Sequence, residues 1–170
     1  SLHDALPIFD NVANVGFDLE NKLANDEDLA PVWGSNSESG ARVDGAFNAY
    51  KNAKAAQDIM QNSTDEGAIK QAAIEFQNSQ EALKASLDAL AQSGMSPEQM
   101  RDALAKAQSV VNKSDYMQPI RPNGPGGSMS KDTYKILTQQ QAAAALMIKQ
   151  LGEFSNEALP YIQKAYDVIQ

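Results

Sequence analysis

The sequence predicts an all-α protein, an antiparallel helical bundle of about five helices with a long Pro/Gly-rich loop before the final helix. Three observations carry this. Apolar residues recur at steps of three and four along several separate stretches, as one buried face of an α-helix requires. Ser63-Thr64-Asp65-Glu66 and Ser96-Pro97-Glu98-Gln99 each read as a capping box at a helix start. Val, Ile and Thr together number only 19 of 170 residues, and no long period-2 alternation argues for a sheet. The expected helices run near 8–26, 41–61, 64–93, 97–113 and 131–168.

In the first stretch, Ile8, Val12, Val15, Leu19 and Leu23 form the stripe, with Asp10, Asn14, Asp18, Asn21 and Asn25 facing away. Residues 26–40 are polar and turn-rich around Trp33, the single tryptophan. Val43, Phe47, Tyr50, Ala53 and Met60 mark a second helix. In the third, Ile69, Ala73, Phe76, Leu83, Leu87 and Leu90 make a heptad-like seam whose skipped slot is Gln80. Ser63 is the expected cap, and Gly94 the expected stop. Ser96 caps the fourth helix, Pro97 fits its first position, and Met100, Leu104, Ala107 and Val111 are its stripe. A link this short predicts that the third and fourth helices fold back on each other.

Residues 112–130 hold Pro119, Pro122, Pro125, Gly124, Gly126 and Gly127, which no helix tolerates. Tyr116, Met117 and Ile120 just before them either pin this loop to the bundle or form a small contact patch. Ser130 is the expected cap of the last helix. Its stripe is Tyr134, Leu137, Ala144, Met147, Leu151 and Phe154, again with a glutamine, Gln141, in the skipped slot. Ala142 to Ala145 permit close helix approach. Pro160 predicts a kink or split near residues 155–159, after which Ile162, Ala165, Tyr166 and Ile169 continue the pattern. The chain opens without Met and ends inside an apolar pattern, as expected of a fragment or a processed form.

Composition narrows the function classes. Twenty-six alanines inflate the apolar fraction, so the core is expected to be thin. There is no Cys and one His, His3. A thiolate site, a His-based zinc site and a Ser-His-Asp triad therefore cannot be built from one chain. Asp26-Glu27-Asp28 lacks the spacing of a calcium loop, and Gly124-Pro125-Gly126-Gly127 lacks the Gly-Lys-Ser/Thr ending of a phosphate loop. No catalytic, cofactor-binding or metal-binding residues are expected, and no cofactor. A formal charge of −8 argues against a nucleic-acid partner, and no apolar run approaches a membrane span. The first 15 residues lack the basic start and apolar stretch of a secretory signal.

Two domains of character are expected: an acidic helix and turn-rich segment over 1–40, and a bundle core over 41–170 with a flexible loop at 112–130. Residues 1–40 hold eight acids and one base. This is an arm for a basic partner, or a solvated face that keeps the protein soluble. Gln80 and Gln141 invite a sharper idea. If their helices pack antiparallel, the two amides meet and fix the register; otherwise each faces water. Trp33, Tyr116, Met117 and Ile120 complete the candidate interaction residues.

No motif identifies a family. In composition the chain resembles secreted helical proteins of bacterial export systems: cysteine-free, poor in aromatics, rich in Ala, Gln, Asn and Ser. The resemblance implies a long-helix pair, 64–92 with 130–154, around a variable part at 112–130. The expected function is that of a non-enzymatic structural or protein-interaction component of translocator or filament type. Its partners are other protein chains, self-association included. The alternatives are an intracellular adaptor with an acidic arm and a small ligand-binding bundle.

Overall fold

The computed structural model describes residues 2–34, 41–122 and 128–169, with side chains described from Val12 onward. The chain forms α1 (Leu2–Asn25), a single turn α2 (Ala30–Trp33), α3 (Val43–Asn62), α4 (Glu66–Gln92), α5 (Pro97–Asn112), a 3-10 turn (Asp115–Met117) and α6 (Lys131–Ile169). More than four-fifths of the described residues are helical, and no strand occurs among them. The all-α bundle expected from the sequence is the observed fold.

The helix ends follow local chemistry. The Ser96 hydroxyl accepts from the Gln99 backbone N–H at 3.1 Å, and the Gln99 side chain accepts from the Ser96 N–H at 2.9 Å. This is the full capping box. Ser130 caps α6 in the simpler way, accepting from Thr133 N–H. The box expected at Ser63 does not form. Asp65 is the cap instead, its carboxylate accepting from Gly67 N–H at 3.2 Å. Ser63 Oγ accepts from Asp65 N–H and orders the turn before the helix. The carboxylate stands two residues nearer the helix and takes the orphan amide first. Gly94, at φ +87°, ends α4 in the left-handed conformation that side chains avoid. Ser96→Ala should cost about 1 kcal/mol, read as a lower urea midpoint at unchanged m-value.

The long α6 is the spine against which α1, α4 and α5 pack, while α3 and α4 form a hairpin. α5 runs antiparallel to α6: Gln108 donates to the Ile148 carbonyl, and farther along the chain Gln118 receives Gln141. The fold-back expected between α4 and α5 is not the observed pairing, since α4 packs on α3 and α5 on α6. The positive φ at Gly94 turns the chain out of line with α4, so a short link does not oblige its two helices to touch. Pro160 does not split α6, which continues through it to Ile169. The residues on either side, Ala158 and Ile162, are buried, and Pro160 itself is exposed. Packing around the proline outweighs one missing backbone bond.

Leu19, Leu23, Phe47, Leu90, Met100, Leu104, Leu151 and Ile162 are among the fully buried side chains, so every long helix contributes to one core. At its centre an aromatic row runs from Trp33 to Phe47 to Phe154 to Tyr50, with centroid spacings of 6.0, 5.7 and 5.4 Å. The stripes of α1 and α5 land largely as expected: Val15, Leu19 and Leu23 are buried, as are Met100, Leu104, Ala107 and Val111. Val12 is 39% exposed, and the side chain of Ile8 lies outside the described residues. Of the Ala142–Ala145 run only Ala144 is buried.

Candidate functional site: a helical hairpin and the cleft at its root

The α3–α4 hairpin has two unlike halves. Its root, around Val43–Tyr50 and Leu83–Ala91, belongs to the core. Its outer part does not. No apolar residue between Lys51 and Ala82 joins or packs against that core, and no hydrogen bond or ion pair from residues 55–79 leaves the hairpin, among the described residues. The outer part therefore stands clear of the body. The fully buried residues of this outer part are all small: Ala53 and Ala56 on α3 and Ala72 on α4. Alanines let the two helices approach closely but bury little apolar area each.

Larger apolar side chains are left over on this outer part. Ile59 is 41% and Ile74 is 55% exposed, while Met60, Ile69 and Phe76 are half-buried. The seam expected along α4 is thus a core seam only from Leu83 onward. A second, partly exposed stretch is the start of α6. Core packing on this helix begins at Ala143; before it, Tyr134 is exposed and Ile136 and Leu137 are half-buried.

At the hairpin root a cleft of about 440 Å³ opens between α4 and α6. Leu83, Leu87, Phe154 and Ala158 form apolar walls, and Gln80, Glu81, Lys84 and Glu157 stand among the lining residues. Tyr50 also lines it. Its hydroxyl is buried and makes no hydrogen bond of normal geometry. Burial first, then the Glu157 and Glu153 carboxylates, push its pKa up to about 12. Tyr161, another wall, donates to Asp88 on α4 and is raised mainly by that bond.

Gln80 lines this cleft and is exposed, whereas Gln141 donates to the Gln118 carbonyl at 3.0 Å. The two amides do not meet. Gln80 shares its cleft with Phe154, Glu157 and Ala158, more than three turns beyond Gln141 along α6. The register pairing expected of these two residues is therefore wrong; each seam places its glutamine correctly on one face, but the faces are covered by different neighbours.

The remaining candidates are structural. Trp33 is 1% exposed and packs on Phe47, so it is core and offers no contact surface. Tyr116 and Met117 pack against the core. The Tyr116 hydroxyl donates to Asp18 at 2.6 Å, a bond that with burial raises its pKa to about 12. This pins the 3-10 turn to α1. Ile120 is half-buried beyond it, and residues 123–127 of the loop lie outside the described residues.

Four of the eight acids of the first quarter are also engaged within the chain. Glu20 pairs with Lys51 at 2.6 Å and Asp28 with Lys106 at 3.5 Å, Asp18 holds Tyr116, and Asp26 caps the turn at Leu29. Sequence reasoning missed Ile59, Ile74 and Tyr50. Ile74 carried a signal, since it falls on the face of α4 opposite the apolar stripe. Tyr50 was read only as core. No metal-holding group of His, Cys, Asp or Glu occurs among the described residues, and no helix of the structure is long and apolar enough to cross a membrane. No family model, curated protein or solved structure matches the chain.

Proposed function

We propose that the chain is a non-enzymatic helical component that works by protein contact and associates with copies of itself. One observation carries this reading: the outer α3–α4 hairpin, with Ile59 and Ile74 exposed and no attachment to the core. A hairpin held by alanines and edged with isoleucine gains from a further helix beside it. The same chain carries a second, partly exposed apolar stretch at Tyr134, Ile136 and Leu137. Contact between two different faces of identical chains is head-to-tail and propagates into a ring or a filament. A filament-like or translocator role in bacterial export is the finer form of the proposal; the compositional resemblance supports it. An adaptor with an acidic arm is less well supported, because four of the arm's acids already hold partners within the chain.

Sedimentation velocity from micromolar to near-millimolar concentration tests the reading. The sedimentation coefficient should rise with concentration. Added salt should strengthen association, because a charge of −8 per chain opposes it. Joint Ile59→Ser and Ile74→Ser substitution should weaken association by about tenfold or more, since burying even one isoleucine is worth that factor. Helical content should stay unchanged. A monomer at every concentration and salt level would overturn self-association.

A further inference from the structure

We propose that the cleft at the hairpin root binds a small amphipathic amine, an apolar body carrying one protonated nitrogen. The cleft volume of about 440 Å³ suits a small molecule. Leu83, Leu87 and Ala158 supply an apolar floor for the body. Tyr50, Phe154 and Tyr161 supply ring faces, which attract a cation through their quadrupoles.

The second, independent observation is the Tyr50 hydroxyl. It belongs to a side chain only 1% exposed, lines the cleft, and, with the Glu153 carboxylate beside it, makes no hydrogen bond of normal geometry. A buried hydroxyl left unpaired is unfavourable, so a ligand nitrogen that donates to it is rewarded. The surrounding charge selects the sign. Glu81 and Glu157 line the cleft, Glu153 lies near Tyr50, and Asp88 holds Tyr161. Against these four acids stand three lysines, Lys84, Lys54 and Lys149, of which Lys54 pairs with Glu157 at 3.2 Å and Lys149 with Glu153 at 3.9 Å, so the excess is one carboxylate. An anion would meet this carboxylate excess; an ammonium is drawn to it.

Lys54 also provides an internal precedent. Its Nζ sits 5.3 Å over the Tyr50 ring while pairing with Glu157, the same aromatic-and-carboxylate recognition proposed for the ligand. Lys54 is therefore a tethered competitor at the cleft's edge. The inference uses a surface other than the outer hairpin and stands independently of self-association.

Isothermal titration of the full chain with hexylamine, 1-hexanol and hexanoate tests it, because the three probes share one apolar tail. Hexylammonium should bind at least tenfold more tightly than hexanol, with hexanoate weakest. Tyr50→Phe should leave the melting temperature unchanged or higher, because it removes an unpaired hydroxyl, yet weaken amine binding several-fold. Lys54→Met should tighten amine binding and leave hexanol unaffected. Equal binding of all three probes, preference for hexanoate, or no heat with any of them at millimolar concentration would overturn the proposal. Unchanged amine affinity in both variants would overturn it as well.

Discussion

Phe154→Ala should lower folding stability by about 3–5 kcal/mol. Phe154 is fully buried on α6 and lies 5.7 Å from the Phe47 ring and 5.4 Å from the Tyr50 ring. It joins the spine to the hairpin root, where α3 and α6 otherwise touch little. Truncation removes the ring's burial and leaves a void that rigid neighbouring helices cannot close. Urea unfolding followed by circular dichroism would read the loss directly. A cost below about 1 kcal/mol would mean that the site collapses freely, which close packing does not allow.

Trp33→Ala should be nearly as severe, at about 3 kcal/mol or more. α2 is only one turn long and has little helix stability of its own. It is held by Asp26, whose carboxylate accepts from Leu29 N–H, and by the burial of Trp33 against Phe47. Gly34, just beyond, lies so close to the Ala24 and Ala30 carbonyls that a Cβ would approach them to about 3 Å. Residues 26–34 are thus folded onto the body mainly by two buried side chains, Leu29 and Trp33. The wild-type emission of this single tryptophan should be blue-shifted and should move to the red in one transition, coincident with loss of helicity. Two separated transitions would mean that α2 undocks before the bundle melts.

How much of this was legible in the sequence depends on which physical question is asked. Periodicity reports which face of a helix is apolar. Met100, Leu104, Ala107 and Val111 therefore gave α5 correctly, and Ser96 with Gln99 gave its start. Periodicity does not report what covers the face. The α4 seam reads as uniform from Ile69 to Leu90, yet Leu87 and Leu90 are core and Ile69 and Phe76 lie outside it. Gln80 and Gln141 failed as a pair for the same reason, since the seams carry no record of their partners. Pro160 leaves α6 unsplit, because local propensity yields where Ala158 and Ile162 bury the flanking turns. The cleft could not be foreseen from spacing: Tyr50, Leu83 and Phe154 come from three helices whose pairing was unknown.

The central claim is that a firmly packed body carries a weakly held hairpin end that is completed by another chain. Hydrogen exchange read by mass spectrometry at low and high protein concentration tests this most directly. In dilute solution, peptides covering residues 55–79 should exchange much faster than those covering 97–112, because alanine contacts give the outer hairpin little local stability. At high concentration the 55–79 peptides, together with those covering 131–140, should gain protection while 97–112 stays unchanged. Equal protection of hairpin and body when dilute, or no dependence on concentration in either segment, would contradict the account.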